Sequence, residues 1–333
     1  MKRICAFFLA MMLSFSLACA EAEIIFDEDF GYSIDLYKDG LVGRQDVMVV
    51  QNKAYALYSN GDIYCWDGEE RTYSYFAKVD AVPEVNIEKP LSKQNEKKQA
   101  ELRNCVFSLL SNGEQLYGFN TISGKIGVIT ADGITWNEVP LDVSVINQNN
   151  QKDSTYPIRV NNSFIYNNQM IATYDMYDVT DKGDYAPVIL QFDLSTGACT
   201  VTDYPKAITM CHYQDDTMLV LEDQGTTVPT FTLYNLTTGA STPLGMDAPF
   251  TINRKLLASK YDILDTLGGI AYDTVTDTIY IATRENLWIS TAGEAFQAAT
   301  LTDQPWEYMN HFGEAWVMPN GTYVFRNGSA YIY

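Results

Sequence analysis

The sequence predicts an all-β fold, a β-propeller of six blades, with seven as the other count that fits. Three observations predict it. Runs rich in Tyr, Val and Ile alternate at period 2, as half-buried strands do. Asn-Gly pairs and Gly-terminated turns punctuate those runs. One turn motif returns 42 residues later, close to the roughly 40–45 residues of a four-stranded blade. A two-sheet β-sandwich is the alternative; it explains the strands but not the repeat.

The first element is an export signal. Lys2 and Arg3 precede an apolar run from Ile4 to Leu17, and Ala18-Cys19-Ala20 supplies the small residues a signal peptidase reads. The run is shorter than the roughly 20 residues that cross a bilayer. Residues 1–20 are expected to be a signal peptide cleaved after Ala20. A lipidated Cys19 is the alternative, although Ser16 stands where a lipoprotein signal has a branched apolar residue. Both place the mature chain outside the cytoplasm, with no transmembrane span.

Residues 21–333 are expected to form a single propeller domain with insertions near 83–104 and 145–157. The blades are expected at 46–80, 105–143, 158–204, 207–247, 265–302 and 306–333. The last has room for three strands, and Ile24-Ile25-Phe26 is expected to add the fourth, closing the ring through the two termini. Within the first insertion, Ser92 to Asn104 is the one run with good helix formers, and it is polar nearly all round.

Two turn signals mark the blades. Asn60-Gly61, Asn112-Gly113 and Asn320-Gly321 each sit between apolar runs, the hairpin pattern in which both turn residues take positive φ. Phe192-Asp193-Leu-Ser-Thr-Gly197 matches Tyr234-Asn235-Leu-Thr-Thr-Gly239, with Phe119-Asn120-Thr-Ile-Ser-Gly124 as a third copy. Tyr272-Asp273-Thr-Val-Thr-Asp277 is a weaker fourth. The Asp or Asn side chain can accept backbone amides two residues on, and Gly takes the left-handed position.

On these residues, and on Ala54-Tyr-Ala-Leu-Tyr58 with Gly61 and Trp66, the chain resembles the PQQ-like and WD40-like β-propeller repeats of exported bacterial proteins. Trp66-Asp67 occurs once, and the Gly-His signature of WD40 repeats is absent. The resemblance implies a rigid scaffold for binding. It transfers no quinone-binding residue. Similar propellers accompany solute-binding proteins, which implies a role accessory to solute uptake.

Composition narrows the function. Asp and Glu total 42 against 22 Lys and Arg, a net charge of −20. That surface repels phosphate, so nucleic acid is excluded as a partner. His212 and His311 are the only histidines, too few for a multi-histidine metal site, and each is expected to be a hydrogen-bonded strand residue. Cys65, Cys105, Cys199 and Cys211 remain after cleavage, in no C-x-x-C pair; a Cys199–Cys211 bridge and buried thiols are the two readings.

Candidate sites converge on one segment. Asp175, Asp178, Asp181 and Asp184 recur every three residues, and oxygen-rich loops suit calcium. The spacing departs from an EF-hand, and a solvated acidic loop is the plain reading. Tyr174, Tyr177 and Tyr185 share the segment; aromatic faces beside carboxylates grip sugars and organic cations. No nucleophile elbow is present, no catalytic residue is assigned, and no cofactor is expected apart from calcium. The expected function is non-enzymatic binding of a protein, small-molecule or carbohydrate ligand. The alternative is a hydrolase or lyase using clustered carboxylates, assisted by calcium.

Overall fold

The chain forms an all-β propeller. The computed structural model describes residues 44–58, 60–70, 72–79, 105–146, 160–177, 185–251, 267–283, 287–298, 315–318, 323–327 and 329–332. Blade 1 comprises β1 (Arg44–Val50), β2 (Lys53–Tyr58), β3 (Asp62–Asp67) and β4 (Thr72–Lys78). Blade 2 comprises β5 (Ser108–Ser111), β6 (Leu116–Phe119), β7 (Ile126–Thr130) and β8 (Gly133–Trp136). Blade 3 comprises β9 (Asn161–Tyr166), β10 (Gln169–Tyr177), β11 (Tyr185–Asp193) and β12 (Cys199–Asp203). Blade 4 comprises β13 (Ala207–Gln214), β14 (Thr217–Glu222), β15 (Thr230–Asn235) and β16 (Ser241–Asp247). Blade 5 comprises β17 (Leu267–Asp273), β18 (Thr278–Thr283), β19 (Leu287–Thr291) and β20 (Gln297–Ala298).

Each of these five sheets is antiparallel, with its strands in sequence order. A further sheet of three strands holds β21 (Ala315–Val317), β22 (Tyr323–Asn327) and β23 (Ser329–Ile332). The expected sixth blade of four strands is therefore not what is observed; Ile24–Phe26 and both expected insertions lie outside the described residues, apart from 145–146. Residues 144–146 form a short helical turn.

The first strands β1, β5, β9, β13, β17 and β21 lie side by side in chain order, which sets the sheets radially around an axis. Packing between blades follows from period-2 alternation. On β1, Val47 faces Ala54, Ala56, Tyr58 and Trp66, while Met48 faces Leu109 and Leu116 of blade 2. On β13, Met210 faces Phe164 of blade 3, while Cys211 and Tyr213 face Ile270 and Tyr272 of blade 5. Each strand thus contributes to two cores. The largest fully buried rings are Tyr58, Phe107, Phe119, Phe192 and Phe231; Phe119 and Phe192 meet between blades 2 and 3, and Phe231 lies between blades 4 and 5. Burying such a side chain contributes roughly 1.5–3 kcal/mol.

The turn motifs fold as their residue types dictate. Oδ1 of Asp193 accepts the amides of Ser195 and Thr196 at 2.8 and 3.0 Å. Asn235 does the same for Thr237 and Thr238, and Asn120 for Ile122 and Ser123. Gly197, Gly239 and Gly124 close the three copies at φ of 74°, 69° and 72°. In the weaker copy Asp277 takes that position at φ 50°, a conformation that Asp tolerates better than most residues.

The Asn-Gly turns differ from expectation. Gly61 and Gly113 have φ of 84° and 89°, and neither Asn60 nor Asn112 takes positive φ. The loops are longer than the two residues that force both central positions left-handed. Asn instead acts through its side chain: Asn60 Oδ1 accepts the Asp62 amide, and Asn112 Oδ1 accepts those of Glu114 and Gln115. Asn320-Gly321 lies outside the described residues.

A second recurrence was not visible in the sequence. In blades 1, 3, 4 and 5 the turn after the first strand is bonded to the turn after the third. The Asn52, Asn168, Asp216 and Asp277 carbonyls accept the amides of Gly68, Leu194, Leu236 and Ala292 at 2.7–3.0 Å. Gln51, Asn168, Asp215 and Asp277 in these turns have positive φ. The first strands of the same four blades begin with a one-residue slip in register against the second strand, the signature of a β-bulge.

Candidate functional site

The turn end of blades 3 to 5 gathers aromatic rings and carboxylates into a rim. Phe164 and Tyr166 are two apart on β9 and so share one side of the strand. The imidazole of His212 on β13 stacks on Phe164, with centroids 4.2 Å apart and planes at 23°, and lies 6.1 Å from Tyr166. The Tyr166 hydroxyl donates to Asp215 Oδ1 at 3.4 Å. His212 Nε2 is 2.9 Å from the Asp215 carbonyl, so this histidine is the hydrogen-bonded strand residue expected. Desolvation lowers its pKa below the usual imidazole value, and the bond to the Asp215 carbonyl opposes that only in part.

Tyr213, next along β13, points to the other side. Its ring stacks on Tyr272 of β17 at 4.1 Å and 26°. The Tyr272 hydroxyl donates to Asp277 Oδ1 at 2.8 Å. Burial raises the Tyr272 phenol well above its usual range, and hydrogen bonds with Tyr213 and Asp277 add to the shift. Asp216 Oδ1 accepts from Asn235 Nδ2 at 2.8 Å. Val275, at the tip of the β17–β18 turn, is 85% exposed. Thus the rim runs Tyr166, His212, Tyr213, Tyr272 across three blades, with Asp215, Asp216 and Asp277 along it.

Other carboxylates are built into the scaffold. Glu222, at the end of β14, is buried and accepts hydrogen bonds from the Tyr204 hydroxyl and from Gln224 Nε2. Asp46 is buried at the start of β1 with both carboxylate oxygens on backbone amides. Among the described residues, Lys53 pairs with Asp67 and Lys78 with Asp62, both within blade 1. No group of three His, Cys, Asp or Glu suited to a metal ion occurs among the described residues.

The sequence-predicted site residues fall in three places. Tyr174 is 7% exposed and packs in the core between blades 2 and 3, with Phe192 and Leu190. Asp175 and Tyr177 lie on β10, where the ladder pairs Asp175 with Pro187 and Tyr177 with Tyr185 of β11. The ladder therefore extends through Tyr177, and the segment between the strands is shorter than the sequence suggested. Asp178, Asp181 and Asp184 lie outside the described residues, as does His311. The rim itself escaped sequence reasoning; the signal present was the run of His212, Tyr213, Asp215 and Asp216 at a strand-to-turn junction.

The expected alternative of a Cys199–Cys211 bridge is not formed. All four cysteines of the described residues are free thiols. Cys199 packs against the core between blades 2 and 3, and Cys211 against that between blades 4 and 5. No helix among the described residues is long and apolar enough to cross a membrane.

No protein-family model matches the chain, and no curated protein sequence matches it. Among solved structures it is similar to a streptogramin B lyase, at 13% identity over 87% of this chain and 96% of that one, with a TM-score of 0.45. It is also similar to a chain of a mitotic checkpoint complex, at 10% identity over 88% and 74%, with a TM-score of 0.44. A third is the extracellular domain of a putative hybrid two-component system from B. thetaiotaomicron, at 8% identity over 87% and 32%, with a TM-score of 0.41.

Proposed function

We propose that this protein is an exported, non-enzymatic propeller that binds a protein, small-molecule or carbohydrate ligand, in a role accessory to solute uptake at the cell surface. The observation that carries the reading is the rim: four aromatic side chains and three carboxylates brought to one end of three adjacent blades. Rigid blades hold these groups in fixed positions, as preorganised binding requires. Export rests on residues 1–20, with cleavage after Ala20. In the same reading the three-stranded sheet is a sixth blade completed by Ile24–Phe26. Its support is that β1 lies beside β22 and β23 and that Met318 is buried against Ala54, Tyr58 and Trp66 of blade 1.

Two experiments test the reading. The first is a titration of the purified mature protein with a panel of oligosaccharides, organic cations, peptides and calcium. Binding weakened by Tyr166→Ala supports the rim, and binding weakened by Tyr177→Ala supports the β10–β11 segment with its proposed calcium ligands. No binding across the panel overturns the binding-module reading. The second is the mass of the protein secreted by a bacterial host, which is expected to begin at Glu21.

A further inference from the structure

We propose that the turn end of blades 3 to 5 docks a basic polypeptide segment, with Lys or Arg side chains over the rim carboxylates and an apolar side chain against Val275. This rests on the binding-module reading and specifies its partner.

Charge is the first argument. Lys206 is the one Lys or Arg among the described residues of these three blades, against eleven Asp and Glu. At the rim, Asp215 and Asp277 accept hydrogen bonds from phenols, and Asp216 accepts one from an amide. These donors are neutral, and among the described residues no Lys or Arg pairs with the three carboxylates, whose charge attracts a cationic partner over a distance of about 8 Å at physiological salt.

Presentation of Val275 is the second. A lone exposed apolar residue is ordinary, but this one stands on a fixed turn. Asp273 Oδ1 accepts the Val275 amide at 2.9 Å, Asp273 Oδ2 accepts from Thr276 Oγ1 at 2.7 Å, and the Asp277 carbonyl accepts the Ala292 amide at 2.8 Å. An apolar contact there requires little ordering on binding. The third argument is the half-buried rings of Tyr166, His212, Tyr213 and Tyr272 beside the carboxylates, because ring surface left open to solvent next to carboxylates favours guanidinium and ammonium groups. A neutral sugar would use the rings but gains nothing from the charge. A phosphate-bearing partner is repelled.

The test uses the full mature chain and a labelled deca-lysine peptide, an alternating Lys-Val peptide, deca-glutamate and a neutral malto-oligosaccharide, at low and physiological salt. Both basic peptides are expected to bind, more weakly as salt rises, and deca-glutamate is not. The combined change Asp215→Asn, Asp216→Asn, Asp277→Asn is expected to weaken deca-lysine binding by about tenfold. A matched change on blades 1 and 2, Glu69→Gln, Glu70→Gln, Asp132→Asn, is expected to alter it less than about twofold. Val275→Ser removes no packed neighbour, so it keeps the fold, and it is expected to weaken the Lys-Val peptide more than deca-lysine. Equal losses from the two triple changes overturn the proposal, because binding then reports net charge alone. Binding of the oligosaccharide without either basic peptide overturns it while leaving the binding-module reading intact. No binding of any probe removes both.

Discussion

Asp46 Oδ2 accepts the backbone N–H of Leu109 at 2.7 Å, so a buried carboxylate of blade 1 secures an amide on the first strand of blade 2. Its other oxygen accepts the Val47 amide at 2.8 Å. With the carboxylate only 2% exposed, water cannot replace it readily. Asp46→Ala is expected to cost about 1–3 kcal/mol, the penalty for stranding a buried donor. Asp46→Asn keeps an acceptor oxygen and is expected to cost less. Urea unfolding of the two variants checks the order, and equal losses would sink the account.

Gly197 and Gly239 close equivalent turns with unequal surroundings. A Cβ on Gly197 would meet the Pro140 carbonyl oxygen at 2.2 Å, whereas one on Gly239 would meet only the Tyr234 hydroxyl at 3.8 Å. Both Gly→Ala changes pay the left-handed penalty of about 1–2 kcal/mol. Gly197→Ala is expected to lower Tm clearly more than Gly239→Ala, in parallel thermal melts.

His212 supplies a pH dependence. Its folded pKa lies below the unfolded value because burial disfavours the imidazolium. The unfolded chain therefore binds the proton first, and stability falls as pH drops below about 6.5 towards the folded value. An NMR titration of the His212 ring is expected to show a midpoint below about 6.5, and His212→Gln is expected to flatten the loss of stability between about pH 7 and 5. A midpoint at or above the ordinary value would refute this.

Thiol chemistry offers a fourth check. Burial pushes the Cys65 and Cys199 thiols up to about 11 and Cys211 to about 12. The thiolate is the reactive form, so these three cysteines are expected to resist iodoacetamide at about pH 8 in the folded protein and to react in urea. Rapid labelling of the native protein at these positions would contradict their packing.

Much of the fold was legible because its signals are local. Asp193, Asn235 and Asn120 cap their turns through amides two and three residues away, and a sequence shows such neighbours directly. The Asn-Gly pairs located turns but not their geometry, which depends on how many residues the strands leave unpaired. Tyr174 looked like a loop residue because acids follow it, yet it continues the buried alternation of Met170 and Ala172 on β10. The rim was illegible for a different reason. Tyr213 meets Tyr272 only because β13 and β17 are adjacent first strands, and no local pattern encodes that adjacency.

The bonded turns of blades 1, 3, 4 and 5 bear on where the chain can be altered. In every four-stranded blade the last strand ends, and the first begins, at the edge opposite the first turn. The links from blade to blade range from three residues between β12 and β13 to the long stretch between β4 and β5, whereas the turns that carry the cross-turn bonds are short. Length is tolerated in the links and restricted in the turns. A peptide tag or a grafted loop placed in a blade-to-blade link should therefore be accommodated, and the same graft at Asn52, Asn168, Asp216 or Asp277 should break a bond its blade repeats.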